Sequence, residues 1–330
     1  MSKNGANLLK PPDFDGHDFR QILDKEQITT HLLTISVVHG FEFVDMILSF
    51  EAFRAGEARK IVRLRYEKDE LGCLLRKCDL QGIDQEPPKV IQGTSYWKVF
   101  KNDFKLADKY QKSETSRLTV LMFDSDPARR SEADASADKF INILAKVLKS
   151  RKEPFKVDYC RFDVKRVEHV LQILPFLQPK TLQTIVMADA EKRNEKWEIE
   201  ELMKMEQFKQ AKTLHISGFE FKLPPNFQCH FTEVTMNIPF MNYTILMNLK
   251  QWFTNSPQQA KLHVEYEHLD PNPTLADELT KSIGDPTCHG DFKIFWGFHL
   301  PDDGEENRDE QSTFVTEDVA KTRPGFVVKP

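Results

Sequence analysis

Short apolar-alternating stretches, most of them followed by a helical pattern, recur along the last two thirds of the chain. The alternation predicts strands that begin at Leu118, Phe155, Leu182, Leu214, Val234, Leu262 and Phe292. Between most of them, apolar residues recur at spacings of three and four, which is the period of an amphipathic helix. Phe140, Leu144 and Leu148 belong to one such helix. Asp163 and Asn242 are the predicted N-caps of two others.

This order of elements predicts an α/β fold. A strand, a helix and a second strand imply a parallel crossover, which is right-handed in nearly all proteins. The strands recur irregularly, about every thirty residues, and a repeat of that length favours an irregular leucine-rich-repeat-like αβ solenoid. In such a solenoid the helices cover one face of the sheet and the other face stays open.

The open face is the predicted partner-binding surface, because strand residues that alternate with the core point away from the helices. Its predicted binding residues are polar: Lys156, Asp158, Gln183, His215, Asn237, His263, Glu265 and Lys293. Ser217 and Thr235 share the same alternation.

The region before the repeats has a different pattern of apolar and charged residues. Apolar residues such as Val44, Ile47 and Leu48 have helical spacing and predict a small helical segment. Arg63 and Arg65 alternate with apolar residues, which predicts a β-hairpin with a solvated basic face. The predicted organisation is a flexible N-terminus over 1–16, a helical segment over 17–59, a hairpin and linker region over 60–111, a repeat domain over 112–300 and a disordered acidic tail over 301–330.

Composition narrows the class of protein. Net charge is −5, and the last thirty residues hold eight acids against four bases, so the remainder is nearly neutral. A nearly neutral body argues against nucleic-acid binding, which needs a basic excess. Five scattered cysteines do not form a disulfide framework. No apolar run is long enough to span a membrane, and the N-terminus does not resemble a signal peptide. We therefore expect a protein of the cytosol or nucleus.

Two patterns resemble enzyme or metal chemistry. Asp124 and Asp126 follow an apolar strand, as in haloacid-dehalogenase-type phosphatases, where the first carboxylate attacks phosphorus and the second acts as acid and base. Ala128 stands where that motif has Thr or Val, and His289 stands where the metal-binding acid would follow Asp285. A strand followed by an acidic turn is the favoured interpretation.

Adjacent Cys-His pairs at 229–230 and 288–289 lack the ligand spacing of zinc sites. The sequence therefore predicts no cofactor and no metal, and it predicts that the chain is not an enzyme.

Four stretches resemble the FTH domain of the nematode-expanded F-box A proteins. ILPFLQPKTLQTIVM at 173–187, MEQFKQAKTLHI at 205–216 and CHFTEVTMNI at 229–238 are similar to its repeated lines, with Phe208 where Trp is usual. LGCLL at 71–75 is similar to the stretch ahead of it. The resemblance covers roughly 60–265.

The resemblance implies a substrate-recognition subunit of a cullin-type ubiquitin ligase. In that family an F-box binds a Skp-type adaptor, and the FTH region holds an unknown protein target. FVDMILSFEAFR at 43–54 resembles part of an F-box, with Ile47, Leu48 and Phe53 as adaptor-binding residues, but it lacks the usual Pro. An FTH scaffold without adaptor binding remains the alternative within binding proteins, and the phosphatase is the alternative among enzymes.

Overall fold

The fold is known from a computed structural model, which describes residues 32–50, 60–110, 115–123, 127–191, 196–222, 230–242, 244–245, 247–249, 261–269, 293–297 and 325–329. The chain divides into two compact units, residues 1–158 and 159–330. Within the described residues, no helix is both long enough and apolar enough to cross a membrane.

The first unit is built on an antiparallel sheet. Its strands are β1 (Leu32–His39), β2 (Phe43–Phe50), β3 (Lys60–Asp69), β4 (Gly72–Cys78), β5 (Lys89–Gln92) and β6 (Thr115–Met122). Its helices are α1 (Tyr96–Tyr110) and α2 (Arg130–Lys149), the latter preceded by a 3₁₀ turn at Pro127–Arg129. The strands lie in the order β6-β1-β2-β3-β4-β5, and all neighbours are antiparallel except β1 and β6, which are parallel.

The predicted helical segment over 17–59 is wrong where the structure describes it, because residues 32–39 and 43–50 form strands. In β2 the buried residues Val44, Met46 and Leu48 alternate, so their period is two. Hydrogen bonding to β1 on one side and β3 on the other satisfies the backbone of this strand. The hairpin predicted after it is present, since β3 and β4 pair antiparallel.

Aromatic side chains fill the core of the first unit. Phe100 and Phe104 of α1 are 0% and 1% exposed. The imidazole of His39 stacks between Trp97 and Phe140, with ring centroids 5.9 and 5.2 Å away. His39 Nε2 also lies 2.9 Å from Ser136 Oγ, so this ring nitrogen has a hydrogen-bond partner in the core.

The second unit holds a mostly parallel sheet. Its strands are β7 (Val157–Val164, which begins at the end of the first unit), β8 (Thr184–Asp189), β10 (Thr213–Ser217), β12 (Glu233–Met241), β13 (Lys261–Leu269), β14 (Lys293–Gly297) and β15 (Gly325–Lys329). A separate parallel pair is formed by β9 (Lys196–Glu198) and β11 (Glu220–Lys222). The helices are α3 (Val167–Ile173), α4 (Glu200–Lys204) and α5 (Glu206–Gln210), with a 3₁₀ turn at Leu174–Phe176.

The predicted parallel crossovers are present from β7 to β13, since these neighbours pair in parallel in the order β7-β8-β10-β12-β13. The leucine-rich-repeat-like solenoid is wrong. The strands of the second unit belong to a mixed sheet, in which β15 pairs antiparallel with β13. The first unit holds an antiparallel meander of its own. The described helices between the parallel strands are short, with five to seven residues. Such pieces do not stack as one repeated unit.

Buried side chains alternate along the parallel strands and define the core of the second unit. Phe162, Ile185, Leu214 and Val234 are each 0% exposed. Phe208 of α5 is also 0% exposed and contacts Phe231 edge to face, with ring centroids 5.1 Å apart. The described part of the predicted tail is residues 325–329, which form β15.

Candidate functional site

The candidate site is the solvent-facing side of the parallel sheet in the second unit, called here the polar face. Strand pairing aligns its residues in two rows across the sheet. One row contains Arg161, Val186, His215, Thr235 and His263. The other contains Asp163, Ala188, Ser217, Asn237 and Glu265. Because residues in register on parallel strands lie side by side, the rows form a continuous surface.

Exposure confirms which side of the sheet meets solvent. Leu214 and Ile216 are 0% and 2% exposed, whereas Thr213, His215 and Ser217 between them are partly exposed. The same alternation holds on β8, where Ile185 and Met187 are buried. The central strands therefore present short side chains to solvent, most of which can donate or accept hydrogen bonds.

Charge lies at the margins of this surface. On β7, Arg161 donates hydrogen bonds to Asp163 at 2.9 and 2.6 Å. The hydrogen bond to Asp163 raises the pKa of the Arg161 guanidinium, so this side chain stays cationic. Glu233 at the start of β12 is exposed. Both charges are therefore accessible to solvent.

His215 is the titratable group in the middle of the polar face. Burial lowers its pKa, and the nearby Glu233 carboxylate opposes that shift. The imidazole is therefore neutral at pH 7, when it can both donate and accept a hydrogen bond.

Some of the predicted binding residues come together and others do not. His215 and Asn237 lie on the polar face, and the register places His263 and Glu265 beside them. Gln183 immediately precedes β8, and its carbonyl accepts hydrogen bonds from the backbone N–H groups of 212 and 213 at 2.8 and 3.0 Å.

The remaining predicted residues lie elsewhere. Lys156 precedes β7 and its ammonium is 3.9 Å from Glu153. Asp158 is exposed, but along the strand it has the parity of buried Cys160 and not of Arg161. Lys293 begins β14, in register with Gly325.

Sequence reasoning missed Arg161, Asp163 and Glu233 as members of the polar face. Phe155 and Val157 are buried as predicted, but the burial pattern shifts by one residue after Val157, so Cys160, Phe162 and Val164 carry the alternation through the rest of β7. The available signal was the alternation of YCRFDV, in which Arg161 and Asp163 stand between apolar residues.

Two of the predicted adaptor-binding residues, Ile47 and Leu48, belong to strand β2. Leu48 is 1% exposed on the core side of β2, and Ile47 is partly exposed on the other side. Phe53 lies outside the described residues. Residues 43–50 therefore do not supply a helical F-box surface.

The structure describes few of the residues in the enzyme-like and metal-like patterns. Asp124, Asp126, Asp285, Cys229, Cys288 and His289 lie outside the described residues. His230 Nε2 lies 2.7 Å from the carbonyl oxygen of Phe208, so its ring has a structural hydrogen bond. Within the described part of the chain, no three His, Cys, Asp or Glu residues cluster as metal ligands do.

A buried ion pair marks the end of the parallel strands. Lys165 directly follows β7, and its Nζ lies 2.5 Å from Glu191 Oε1, with both side chains 2% exposed. Asp189 Oδ1 accepts the Glu191 backbone N–H at 2.9 Å. These contacts fix the two turns that follow β7 and β8, so they hold the polar face in shape.

The mixed sheet of the second unit thus has a solvated polar face. Residues 138–276 match the family model of the FTH domain. This match confirms the resemblance to the FTH domain over that stretch of the chain. The family indicates an F-box-associated role in protein interaction. No curated protein and no solved structure matches the chain.

Proposed function

We propose that this chain is a non-enzymatic protein-recognition subunit that holds its target on the polar face of the FTH sheet. The observation that carries the proposal is the alignment of Arg161, His215 and Asn237 with their neighbours on a solvated surface inside the family match. Short side chains let a partner approach the sheet closely, and the charged margins supply orientation. We place this activity in the cytosol or nucleus.

A more specific form of the proposal is the substrate-recognition subunit of a cullin-type ubiquitin ligase. The FTH family supports it, because these domains accompany F-boxes. The Skp-type adaptor would then be a second partner, bound outside the polar face.

The alternative is an FTH scaffold that bridges proteins without an adaptor, and a specific observation favours it. Ile47 and Leu48 lie on a central strand of the first sheet, and Leu48 is 1% exposed. An adaptor that binds apolar anchors on helices does not find them there. The geometry of β2 therefore supports the scaffold form.

Affinity capture with quantitative mass spectrometry tests target binding. The face variant combines Arg161→Glu with Glu233→Lys, and the control combines Lys180→Glu with Glu168→Lys, which are exposed positions outside the sheet. Both leave net charge unchanged. We expect some proteins to be captured by wild type and control but lost from the face variant. If all three folded proteins captured the same partners, the polar face would be ruled out as the target-binding surface.

A binding measurement with purified Skp-type adaptor distinguishes the ligase form of the proposal from the scaffold form. Binding of wild-type chain at micromolar concentration would establish the ligase form. If no binding occurs while target capture is retained, the scaffold form holds.

A further inference from the structure

The antiparallel sheet of the first unit ends at β5. Among the strands that the structure describes, β5 pairs with β4 on one side and with none on the other. Lys89, Val90 and Gln92 are exposed along it, and Val90 is 40% exposed although it is apolar. The outer side of an edge strand carries backbone groups that can pair with a strand of another chain.

Hydrogen bonds between β4 and β5 show which residues of β5 direct their backbone groups outward. The Gly93 N–H donates to the Leu71 carbonyl at 2.8 Å. Every second residue of an antiparallel strand bonds to the same neighbour, so Ile91 is bonded to β4 as Gly93 is. Val90 and Gln92 alternate with these two residues. Their N–H and C=O groups therefore point to the outer side, where no described strand meets them.

Two features limit the stretch of β5 that can accept a partner strand. Pro88 is the outward position before Val90 in this alternation, and it has no N–H to donate. Edge strands are commonly protected by proline in this way. At the other end the chain leaves the strand at Gly93, whose φ is +68°. Pairing is therefore restricted to the span from Val90 to Gln92.

A second copy of this chain fits that span in one register. When two β5 strands pair antiparallel about Ile91, Val90 of each copy lies opposite Gln92 of the other, and every outward N–H and C=O group is satisfied. A pairing centred on Val90 sets Gln92 opposite Pro88, which lacks the N–H. A pairing centred on Gln92 sets Val90 opposite Thr94, which lies beyond β5 and is 6% exposed.

Side chains also match in the register centred on Ile91. The two Ile91 side chains, each 8% exposed, meet across the twofold axis on the core side of the sheet, where an apolar cross-strand pair is stabilising. Lys89 lies opposite Gly93, so like charges do not face each other. Because Gly93 is bonded to Leu71, Lys89 of one copy is directed toward the exposed Glu70 of the other, which has the opposite charge.

We propose that two copies of this chain pair through β5, antiparallel and centred on Ile91, and form a symmetric dimer. The contact uses residues of the first unit and is independent of the target binding proposed for the polar face. One short strand from each copy buries less than the roughly 1,600 Å² of a standard interface. The dimer is therefore weak, and its population depends on protein concentration.

Sedimentation equilibrium of the full chain tests the dimer. We expect wild type to pass from monomer toward dimer between about 10 µM and 0.5 mM, as suits a small interface. Val90→Pro removes an outward N–H and no bond to β4, so it should fold normally by circular dichroism and associate at least about tenfold more weakly. The control Val90→Thr keeps both that N–H and a branched side chain, and it should associate as wild type does. Gln92→Pro removes the other outward N–H and replaces Val90→Pro if that variant does not fold.

Charge reversal tests the register. Lys89→Glu sets like charges near Glu70 of the second copy and should weaken association about threefold, and adding Glu70→Lys should restore it. The proposal is overturned if wild type stays monomeric up to about 0.5 mM, since the edge would then be left to an extended segment of a different protein. It is also overturned if Val90→Pro and Val90→Thr associate equally, or if Lys89→Glu produces no loss that Glu70→Lys corrects.

Discussion

The solvent-facing sides of the two sheets differ in where their charged side chains lie and how these are paired. In the first unit, Asp45 is 1% exposed and lies under Arg63 and Arg65, whose nitrogens approach it to 2.6 and 2.7 Å. Arg76 bridges Glu67 and Asp84 at 2.9 and 2.6 Å. In the second unit, the central strands of the polar face present Thr213, His215 and Ser217 and their neighbours, with charge at the margin.

This difference indicates that the charged face of the first sheet stabilises its own unit, whereas the polar face of the second sheet is suited to binding a partner. Ion pairs across the first sheet satisfy their charges within the chain, and arginines there cover a buried carboxylate. Changing them should therefore alter stability. Short polar side chains on the second sheet contribute little to stability, so changing the charges at their margin should alter binding and leave the fold intact.

The largest expected effect tests which side of the first sheet is core. Leu48→Asp places an unpaired carboxylate among buried residues and should destabilise the unit by at least about 4 kcal/mol, enough to prevent folding. Ile47→Asp, its neighbour on the partly exposed side, should cost less than half as much. Urea unfolding followed by circular dichroism measures both. Equal effects would contradict the strand geometry of β2.

The next prediction concerns the buried carboxylate under the two arginines. Asp45→Ala leaves both guanidinium groups without their acceptor and should cost about 3–5 kcal/mol. Asp84→Ala removes a carboxylate that is 33% exposed and paired with Arg76, and should cost less than about 1 kcal/mol. Calorimetric melting of the two variants against wild type makes the comparison. A small effect of Asp45→Ala would mean that the network does not stabilise the unit.

A matched pair of arginine variants compares the two faces directly. Arg63→Glu sets a second carboxylate against Asp45 and should strongly lower the unfolding free energy, whereas Arg161→Glu should lower it by less than about 1 kcal/mol. The Arg161 side chain is 45% exposed and the Arg63 side chain is 15% exposed. If urea unfolding showed similar losses of unfolding free energy for both variants, the two faces would not differ in their contribution to stability.

Local patterns predicted the parts of the fold that are set by neighbouring residues. Phe140, Leu144 and Leu148 are all buried on α2, as their spacing indicated. The Asn242 side chain accepts the Ile245 N–H at 2.8 Å, which confirms the predicted cap. Asp163 was wrong as a cap, because β7 continues to Val164 and Asp163 pairs with Arg161 on that strand.

Pairing between distant strands could not be predicted in the same way. Val44, Ile47 and Leu48 fit a helical spacing, while Val44, Met46 and Leu48 fit a strand, so the sequence of this segment alone is ambiguous. Its two partner strands decide the outcome. On β7, the predicted alternation at Lys156 and Asp158 does not continue, because the burial pattern shifts by one residue before Cys160 and leaves Arg161 and Asp163 on the polar face. A shift of one residue exchanges the two faces of a strand.

The smallest expected effect is a pH dependence carried by His215. Burial lowers its pKa in the folded protein, so the unfolded chain binds a proton more readily. This contribution to stability is complete above the unfolded pKa of about 6.5 and is lost as pH falls through that value toward the folded pKa. Between pH 7.5 and 5.5, wild type should lose more unfolding free energy than His215→Asn, by less than about 1 kcal/mol, because the ring is only partly buried.

Glu233 sharpens this last measurement, because its carboxylate raises the pKa of His215 against the effect of burial. Glu233→Gln should therefore lower the His215 pKa further and enlarge the loss of stability at acid pH, opposite to His215→Asn. NMR titration of the His215 ring protons measures the pKa directly. If Glu233→Gln leaves that pKa unchanged, the two side chains do not interact across the polar face. A partner that approaches both groups and excludes water from the ring should also lower the pKa, so titration of the complex would place the bound protein beside His215.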